Sequence, residues 1–194
     1  MLQAEAARER LIQILWETEA FKAEDEPIFE LASGGRSRFY IDGKTALSYA
    51  ETREIVGSLC LERLNLDELD AVGGLVFGAC PIAQAISEAA YRQAGKSLRF
   101  FFVRKEPKKY GLQKWVEGAV DKGDRVLIVD DVITSGKSTL AAISRSREAG
   151  LKVVKVLAMV DRQEQGGRQA IEAEAPFEAL CTLSDLLASR DASR

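Results

Sequence analysis

Apolar residues recur along this chain in two alternating patterns, one with helical spacing and one in short continuous runs. Residues 5–21 place apolar side chains one turn apart between charged ones, which predicts an amphipathic helix. Ser48 and Glu51 have the spacing of a capping box before a second helix, and Pro81 suits the first turn of a third. A further helical pattern ends at Gly150.

The continuous apolar runs have the length of buried strands, and they alternate with the helices. They cover residues 71–77, 98–103, 125–129, 153–160 and 177–182. A last helix, capped by Ser184, would follow them. This order predicts right-handed βαβ units and a parallel sheet covered on both faces. Ligands of such sheets bind beyond the carboxyl ends of the strands, where Gly78, Arg104, Asp130 and Asp161 fall.

Length and composition bound the class of protein. The 194 residues, 46% of them hydrophobic and 29% charged, fit one soluble domain over residues 1–194. No apolar run is long enough to predict a membrane span, and no signal-peptide pattern follows Met1, so we expect a cytoplasmic protein. The net charge of −3 argues against general nucleic-acid binding, which needs a broad basic surface.

The chain contains no histidine and only three cysteines. Ser-His-Asp and Cys-His catalysis are therefore excluded, as are histidine metal sites. Cys60, Cys80 and Cys181 are far apart and lack C-x-x-C spacing, so we expect reduced, packed thiols. Any acid-base chemistry would use carboxylate, lysine or tyrosine groups.

Basic residues are concentrated in one segment of this acidic protein: Arg104, Lys105, Lys108, Lys109 and Lys114. Such a cluster suits a small polyanion, although a solvated surface loop is the alternative. The segment lies between apolar strands and is interrupted by proline and glycine, which predicts a mobile lid.

Residues 126–139 carry the most specific pattern in the chain. Four apolar residues predict a strand that ends at Asp130 and Asp131, and a turn of hydroxyl residues around Gly136 opens into a helix. Backbone N–H groups and the positive end of the helix attract phosphate there, with added bonds from the hydroxyls of Thr134, Ser135, Ser138 and Thr139. Paired carboxylates can accept from a ribose diol or bind Mg²⁺. The pattern predicts a phosphorylated-sugar site, with simple helix capping as the alternative.

Four segments resemble motifs of one enzyme family. Residues 130–136 resemble the signature of type I phosphoribosyltransferases, which use 5-phosphoribosyl 1-pyrophosphate (PRPP). Residues 33–44 resemble the S-G-x-x-S-x-[FY]-Y-x-D-x-K motif of orotate phosphoribosyltransferases, and residues 103–111 resemble their R-K-x-x-K-x-H-G loop. Residues 161–164 resemble their D-R-Q-E segment. The matches occur in family order.

The resemblance implies an α/β fold of the type I phosphoribosyltransferase kind, with a parallel sheet flanked by helices. A small hood would come mainly from residues 1–45 and the C-terminal segment. The implied reaction is transfer of the phosphoribosyl group from PRPP to orotate, giving orotidine 5′-monophosphate and pyrophosphate in UMP biosynthesis. Mg²⁺ is the implied cofactor, held mainly by PRPP, with Asp130 and Asp131 as its candidate protein contacts. A homodimer that shares the basic loop between subunits is also implied.

The resemblance also implies roles for individual residues. Catalytic roles fall to Lys105, Lys108, Asp130 and Asp131, because charge must be placed on the departing pyrophosphate and around the ribose. The PRPP-binding residues are Arg104, Lys105, Lys108, Tyr110, Asp130, Asp131, Val132, Ile133, Thr134, Ser135, Gly136, Lys137 and Ser138. Orotate would contact Thr134, Arg162 and Arg36. For Arg162 an ordinary salt bridge is the alternative, while Phe39 and Tyr40 could face the base or belong to the core.

Two positions depart from the family pattern. Tyr110 occupies the place of the loop histidine, where it can donate a hydrogen bond but cannot carry imidazolium charge. Cys80 stands where an acid is frequent, in a short turn that lacks the family's lysine. These departures leave two other functions open: a phosphoribosyltransferase for another nucleobase, and a non-catalytic regulatory protein that binds PRPP or a nucleotide.

Overall fold

A computed structural model of the chain describes residues 2–30, 35–107 and 114–192. The helices are α1 (Leu2–Glu17), α2 (Gly43–Leu47), α3 (Ala50–Leu61), α4 (Ala79–Ala94), α5 (Lys137–Glu148), α6 (Gly167–Glu172) and α7 (Leu183–Ala192). The strands are β1 (Phe21–Ala23), β2 (Phe29–Glu30), β3 (Arg36–Ser37), β4 (Phe39–Ile41), β5 (Ala71–Leu75), β6 (Arg99–Val103), β7 (Val116–Gly118), β8 (Arg125–Ile133), β9 (Lys152–Asp161) and β10 (Phe177–Thr182).

A six-stranded sheet in the order β10-β9-β8-β5-β6-β7 forms the centre of the molecule. The pairs from β10 to β6 are parallel, and only β7 runs antiparallel to its neighbour β6. The predicted α/β fold with a parallel sheet flanked by helices is therefore confirmed. Outside the sheet, the N-terminal part forms two small antiparallel pairs, β1 with β4 and β2 with β3.

Helices cover both faces of the sheet because the central strands are apolar on both sides. Along β8, Leu127 and Val129 pack into the core that includes helices α1, α3 and α4. Val126 and Ile128 alternate with them and pack into the second core with α5 and α6. A strand with both faces buried appears in the sequence as a continuous apolar run, which is why the sequence pattern locates β8. Among the described residues, no helix combines the length and the apolar character needed to cross a membrane.

The strand predictions differ from the structure mainly at their ends. Strand β8 continues to Ile133, so Asp130 and Asp131 lie within the strand rather than after it. A further strand, β7, lies in the segment that was predicted to be a loop throughout. The three residues of β7 pair with β6, so polar residues such as Glu117 lie in the sheet. The spacing of apolar residues in the sequence does not predict this strand.

The predicted helix over residues 5–21 is displaced toward the C-terminus, since α1 begins at Leu2. Helix α1 ends at Glu17, and Phe21 begins strand β1 with its ring buried. The predicted capping box is also wrong, since Tyr49 is the residue before α3 and makes no side-chain cap. Ser48 instead ends the preceding helix, and its hydroxyl donates to the carbonyl oxygen of Lys44 at 2.9 Å. Only Ser48 and Tyr49 separate α2 from α3, so Ser48 serves as the C-cap of α2 and cannot be the N-cap of α3.

The last helix is capped by a different residue from the predicted Ser184. The carboxylate of Asp185 accepts from the backbone N–H of Thr182 at 2.7 Å, and the Thr182 hydroxyl accepts from the backbone N–H of Asp185 at 3.2 Å. The Ser184 hydroxyl donates to Oε1 of Gln163, in the segment after β9. A tertiary partner has thus taken the hydroxyl that was predicted to cap the helix.

Candidate active site

A cavity of about 310 Å³ opens at the carboxyl edge of the sheet, between β8, the start of α5, the end of β9 and the small N-terminal strands. Of the residues predicted to bind ligand, the following line it: Asp130, Val132, Ile133, Thr134, Ser135, Gly136, Lys137, Ser138 and Arg162. Phe39 and Tyr40 also line the cavity, so both stay beside the predicted base position. The position matches the rule that ligands of parallel sheets bind beyond the strand ends.

The predicted phosphate turn joins β8 to α5. Gly136 has φ of 72°, a left-handed conformation that glycine adopts without strain, and α5 begins at the next residue. The first N–H groups of a helix have no partner within the helix, so those of α5 are available to an anion in the cavity. Thr139 does not contribute its hydroxyl to this turn as predicted, because that side chain is buried and bonds elsewhere.

Asp130 is almost completely buried beside a second carboxylate. Its Oδ2 accepts from the Thr139 hydroxyl at 2.7 Å, and its Oδ1 accepts from the backbone N–H of Asp131 at 3.0 Å. Loss of hydration and the negative charge of Asp131 raise the pKa of Asp130, while the Thr139 bond opposes the rise. Thr139 is therefore a supporting residue of the acidic pair, a role that the sequence pattern did not reveal.

The carboxylate of Asp131 lies between two glycine backbones from different parts of the chain. A Cβ atom on Gly78 would lie 2.3 Å from Asp131 Oδ1, and one on Gly43 would lie 2.8 Å from Asp131 Cβ. Lys44 approaches the same carboxylate, with Nζ 3.9 Å from Oδ2. The turn before α4, the start of α2 and the end of β8 thus meet at this side chain. Glycines at 43 and 78 let them meet so closely.

Lys44 was not predicted as a site residue, although it lies in a segment that resembles a family motif. Its ammonium group also contacts Asp42 Oδ1 at 2.7 Å. The hydrogen bond to Asp42 and the charge of Asp131 raise the pKa of Lys44, so it remains fully charged beside the acidic pair. The sequence motif places this lysine near the site, but only the fold shows that it faces Asp131.

Arg162 is buried at the end of β9, with 5% of its surface exposed. Its Nη2 donates to the Ser37 hydroxyl at 3.1 Å and to the carbonyl oxygen of Phe39 at 3.2 Å, and it lies 2.9 Å from Glu164 Oε2. Its Nε is buried with no hydrogen-bond acceptor among the described residues. An ordinary surface salt bridge does not fit these contacts. A buried guanidinium that lines a cavity suits a planar anionic ligand.

Four further predicted residues are described by the structure but do not line this cavity: Asp131, Arg36, Arg104 and Lys105. Arg104 and Lys105 line a second one, of about 510 Å³, together with Phe77, Cys80 and others. Arg36 is exposed on β3, opposite Glu30, and does not line either cavity. Its predicted contact with orotate stays a prediction. Lys108 and Tyr110 lie outside the described residues.

Cys80 lies at the start of α4 beside the second cavity. Partial burial raises the pKa of its thiol, so little thiolate is present near neutral pH. This is consistent with the predicted packed thiol and gives no support to a nucleophilic role.

Comparisons with known proteins agree with this arrangement. The family model for the phosphoribosyl transferase domain matches residues 53–174. The orotate phosphoribosyltransferase of Aquifex aeolicus is 41% identical over 181 residues, which cover 93% of this chain and 97% of that protein. The crystal structure of Mycobacterium tuberculosis orotate phosphoribosyltransferase with Fe(III) dicitrate has a TM-score of 0.77 and 32% identity, covering 93% of this chain and 98% of that one. A structure of the same enzyme in complex with PRPP has a TM-score of 0.73 and 29% identity, covering 93% and 92%.

The buried acidic pair predicts an unusual pH dependence of stability. Because the folded-state pKa of Asp130 is raised above the unfolded value of about 4, the unfolded chain releases this proton first as pH rises. The Asp130 contribution to stability should therefore fall from about pH 4 upward, by at most about 1.4 kcal/mol per pH unit, and level off above the folded pKa. Asp130→Asn should remove this component, measured as the free energy of urea unfolding between pH 5 and pH 8.

Thr139→Val provides the matched comparison. It removes the donor that favours the ionised carboxylate, so the folded pKa of Asp130 should rise further and the fall in stability should extend to higher pH than in the wild type. Parallel pH profiles for wild type and Asp130→Asn would show that Asp130 titrates normally in the folded protein.

Proposed function

The chain belongs to the orotate phosphoribosyltransferase family, and we propose that it transfers the 5-phosphoribosyl group from PRPP to orotate in the de novo synthesis of UMP. The products are orotidine 5′-monophosphate and pyrophosphate. One observation supports this function above others: the cavity joins a hydroxyl-rich phosphate turn to the buried Arg162, and Asp130 of the acidic pair lines it as well. The M. tuberculosis orotate phosphoribosyltransferase whose crystal structure contains PRPP has the same fold.

Each part of the cavity suits one part of the reactants. Residues 134–138 and the start of α5 would hold the 5′-phosphate. Asp130 and Asp131 would accept hydrogen bonds from the ribose hydroxyls, for which Asp130 needs no full charge of its own. Arg162, whose side chain lines the cavity, would bind a carboxylate or imide oxygen of orotate.

The chemistry requires charge placement more than proton transfer. Orotate is an anion with a nucleophilic nitrogen, N1, which attacks the anomeric carbon as the bond to pyrophosphate breaks. The sugar gains oxocarbenium character, and negative charge grows on the leaving group. Arg104 and Lys105 line the cavity next to the turn at Gly78 and would stabilise that charge together with the predicted Lys108.

Mg²⁺ is the proposed cofactor, and it would offset negative charge on the pyrophosphate. Among residues 2–30, 35–107 and 114–192, no group of three or more carboxylate or cysteine side chains comes together to hold a metal. The acidic pair alone supplies a partial ligand set, so oxygens of PRPP and water would complete it. Asp131 is the better ligand of the two, since the raised pKa of Asp130 disfavours its charged form.

We further propose a cytoplasmic homodimer in which the basic loop contributes to the partner's site. The second cavity is bordered by aromatic side chains, and Phe77 is 76% exposed in the single chain. An exposed ring beside Phe102 and the cations Arg104 and Lys105 suits a contact that becomes buried in an assembly.

The proposed activity has a direct assay. Purified protein with Mg²⁺, PRPP and orotate should lower the orotate absorbance and release pyrophosphate in equal amounts. Lys108→Ala is the low-activity control. A panel of other nucleobases under the same conditions identifies the acceptor, and turnover of another base in place of orotate would refute the proposal.

Arg162→Lys tests the acceptor site separately. Lysine keeps the positive charge but loses the planar fork, so the KM for orotate should rise by roughly ten- to a hundredfold. The KM for PRPP should change little, because the phosphate turn is untouched. Arg38→Lys is the matched control: Arg38 is an exposed arginine between β3 and β4, and its replacement should leave both constants unchanged. An unchanged orotate KM in Arg162→Lys would remove Arg162 from the acceptor site.

Loop sharing can be tested by mixing two inactive proteins. Lys108→Ala and Arg162→Ala damage different parts of the site, so a mixed dimer would regain one complete site if the loop reaches the partner. After subunit exchange in equal amounts, about a quarter of wild-type activity should return. No recovery, with mixed dimers demonstrated by mass, would place each loop in its own subunit's site.

A further inference from the structure

The basic segment leaves and rejoins the sheet at one point. Strands β6 and β7 are antiparallel, and Val103 opposite Val116 is their last pair. One residue further, the backbone N–H of Arg104 donates to the carbonyl oxygen of Trp115 at 2.9 Å. Arg104 and Trp115 therefore form the base of the segment. The direction in which Arg104 and Lys105 project depends on how this base is held.

A single side chain, that of Arg145, contacts both residues of the base. Its Nη1 donates to the carbonyl oxygen of Arg104. Its guanidinium carbon lies 4.0 Å from the centre of the Trp115 indole ring, which is a cation–π contact. Arginine suits this place because its planar group can stack on a ring and donate in its own plane at once, which lysine cannot do.

Arg145 reaches the base from the helix that begins at the phosphate turn. Helix α5 starts at Lys137, and Arg145 lies just over two turns further along. A helix of this length is rigid, so the contacts of Arg145 fix the base of the basic segment relative to the site of the 5′-phosphate. Arg145 lines neither the sugar cavity nor the cavity that contains Arg104 and Lys105.

The side chain of Arg104 is held as well. Its Nη1 donates to Glu117 Oε1 on β7 at 2.7 Å, and its Nε donates to the carbonyl oxygen of Glu106 at 3.2 Å. Arg145 therefore acts on the backbone of Arg104, and Glu117 acts on its guanidinium. Both contacts limit where the cation can lie before a ligand arrives.

We infer that Arg145 is a positioning residue, which holds the base formed by Arg104 and Trp115 so that Arg104 and Lys105 face the pyrophosphate of PRPP. This inference rests on the proposed function, because it takes pyrophosphate as the ligand of those cations. Arg145 itself touches no reactant. Its effect is transmitted through two contacts, and small displacements of a charged group are enough to change binding and rate.

Arg145→Ala tests the inference by the pattern of kinetic constants. The KM for PRPP should rise by roughly five- to fiftyfold and kcat should fall, because the pyrophosphate cations lose their support. The KM for orotate and the dissociation constant of ribose 5-phosphate, which has no pyrophosphate, should stay within about twofold. Arg145→Lys keeps the donor but loses the planar stack, so its PRPP constants should be intermediate.

Arg147→Ala is the matched control. Arg147 lies on the same helix but contacts Glu174, far along the chain from the basic segment. The Arg147→Ala substitution removes an arginine from α5 without affecting the base formed by Arg104 and Trp115, so the kinetic constants of this variant should equal those of the wild type. Equal losses in Arg145→Ala and Arg147→Ala, or an unchanged PRPP KM in Arg145→Ala, would overturn the inference.

Trp115 fluorescence tests the geometry without any turnover. The chain has two tryptophans, and subtracting the spectrum of the matching Trp115→Phe protein isolates the Trp115 emission. Loss of the stacked guanidinium should make Trp115 more accessible to acrylamide in Arg145→Ala, and should weaken the emission change that PRPP produces. If wild-type protein binds PRPP but uses no orotate, the proposed function fails while this test still decides the role of Arg145. Identical acrylamide quenching of Trp115 in the wild type and in Arg145→Ala would refute the inference that Arg145 holds the base.

Discussion

Asp130 and Asp131 place two carboxylates on adjacent residues of a central strand, and the surrounding structure is arranged to tolerate them. The cost is visible in the raised pKa of Asp130, which burial and the neighbouring charge produce together. Thr139 and the Asp131 amide partly offset that cost, and Lys44 supplies a positive charge on the outer side. By themselves, two adjacent carboxylates of this kind do not stabilise the folded protein. A ligand that brings hydroxyl donors, or the proposed Mg²⁺, would reduce this repulsion on binding.

The same pair explains why separate segments meet at one edge of the sheet. Gly43 and Gly78 close on Asp131 from two sides, which brings the start of α2 and the turn before α4 beside β8. Arg162 at the end of β9 is held by Ser37 and by the carbonyl oxygen of Phe39, and these contacts tie the small N-terminal strands to the sheet. The proposed phosphate turn, sugar site and acceptor site are thus fixed relative to one another by tertiary contacts. Such a fixed arrangement lowers the entropy that must be lost when two reactants are brought together.

Sequence patterns predicted the parts of this arrangement that depend on local chemistry. The apolar runs located the strands because both faces of the sheet are buried, and the turn at Gly136 was readable because few residues adopt its conformation. Patterns failed where a side chain had a choice of partners. Ser48 and Ser184 have the composition of caps, yet a carbonyl oxygen and Gln163 bind them instead. Lys44, Thr139 and Arg145 gain their roles only from contacts across the fold, which no spacing along the chain can encode.

The proposed reaction depends on the placement of cations, and the structure shows how three of them are held. Arg104 pairs with Glu117, Arg162 with Glu164, and Lys44 with Asp42 and Asp131. A cation that already has a carboxylate partner loses less hydration when an anion arrives, since one charged contact replaces or joins another. The exchange lowers the net affinity for each phosphate or carboxylate but keeps Arg104, Arg162 and Lys44 in place. In the proposed reaction, Glu117 would take back Arg104 when pyrophosphate leaves. Precise positions, rather than strong individual contacts, then become the main source of rate, and residues that hold the cations matter as much as the cations themselves.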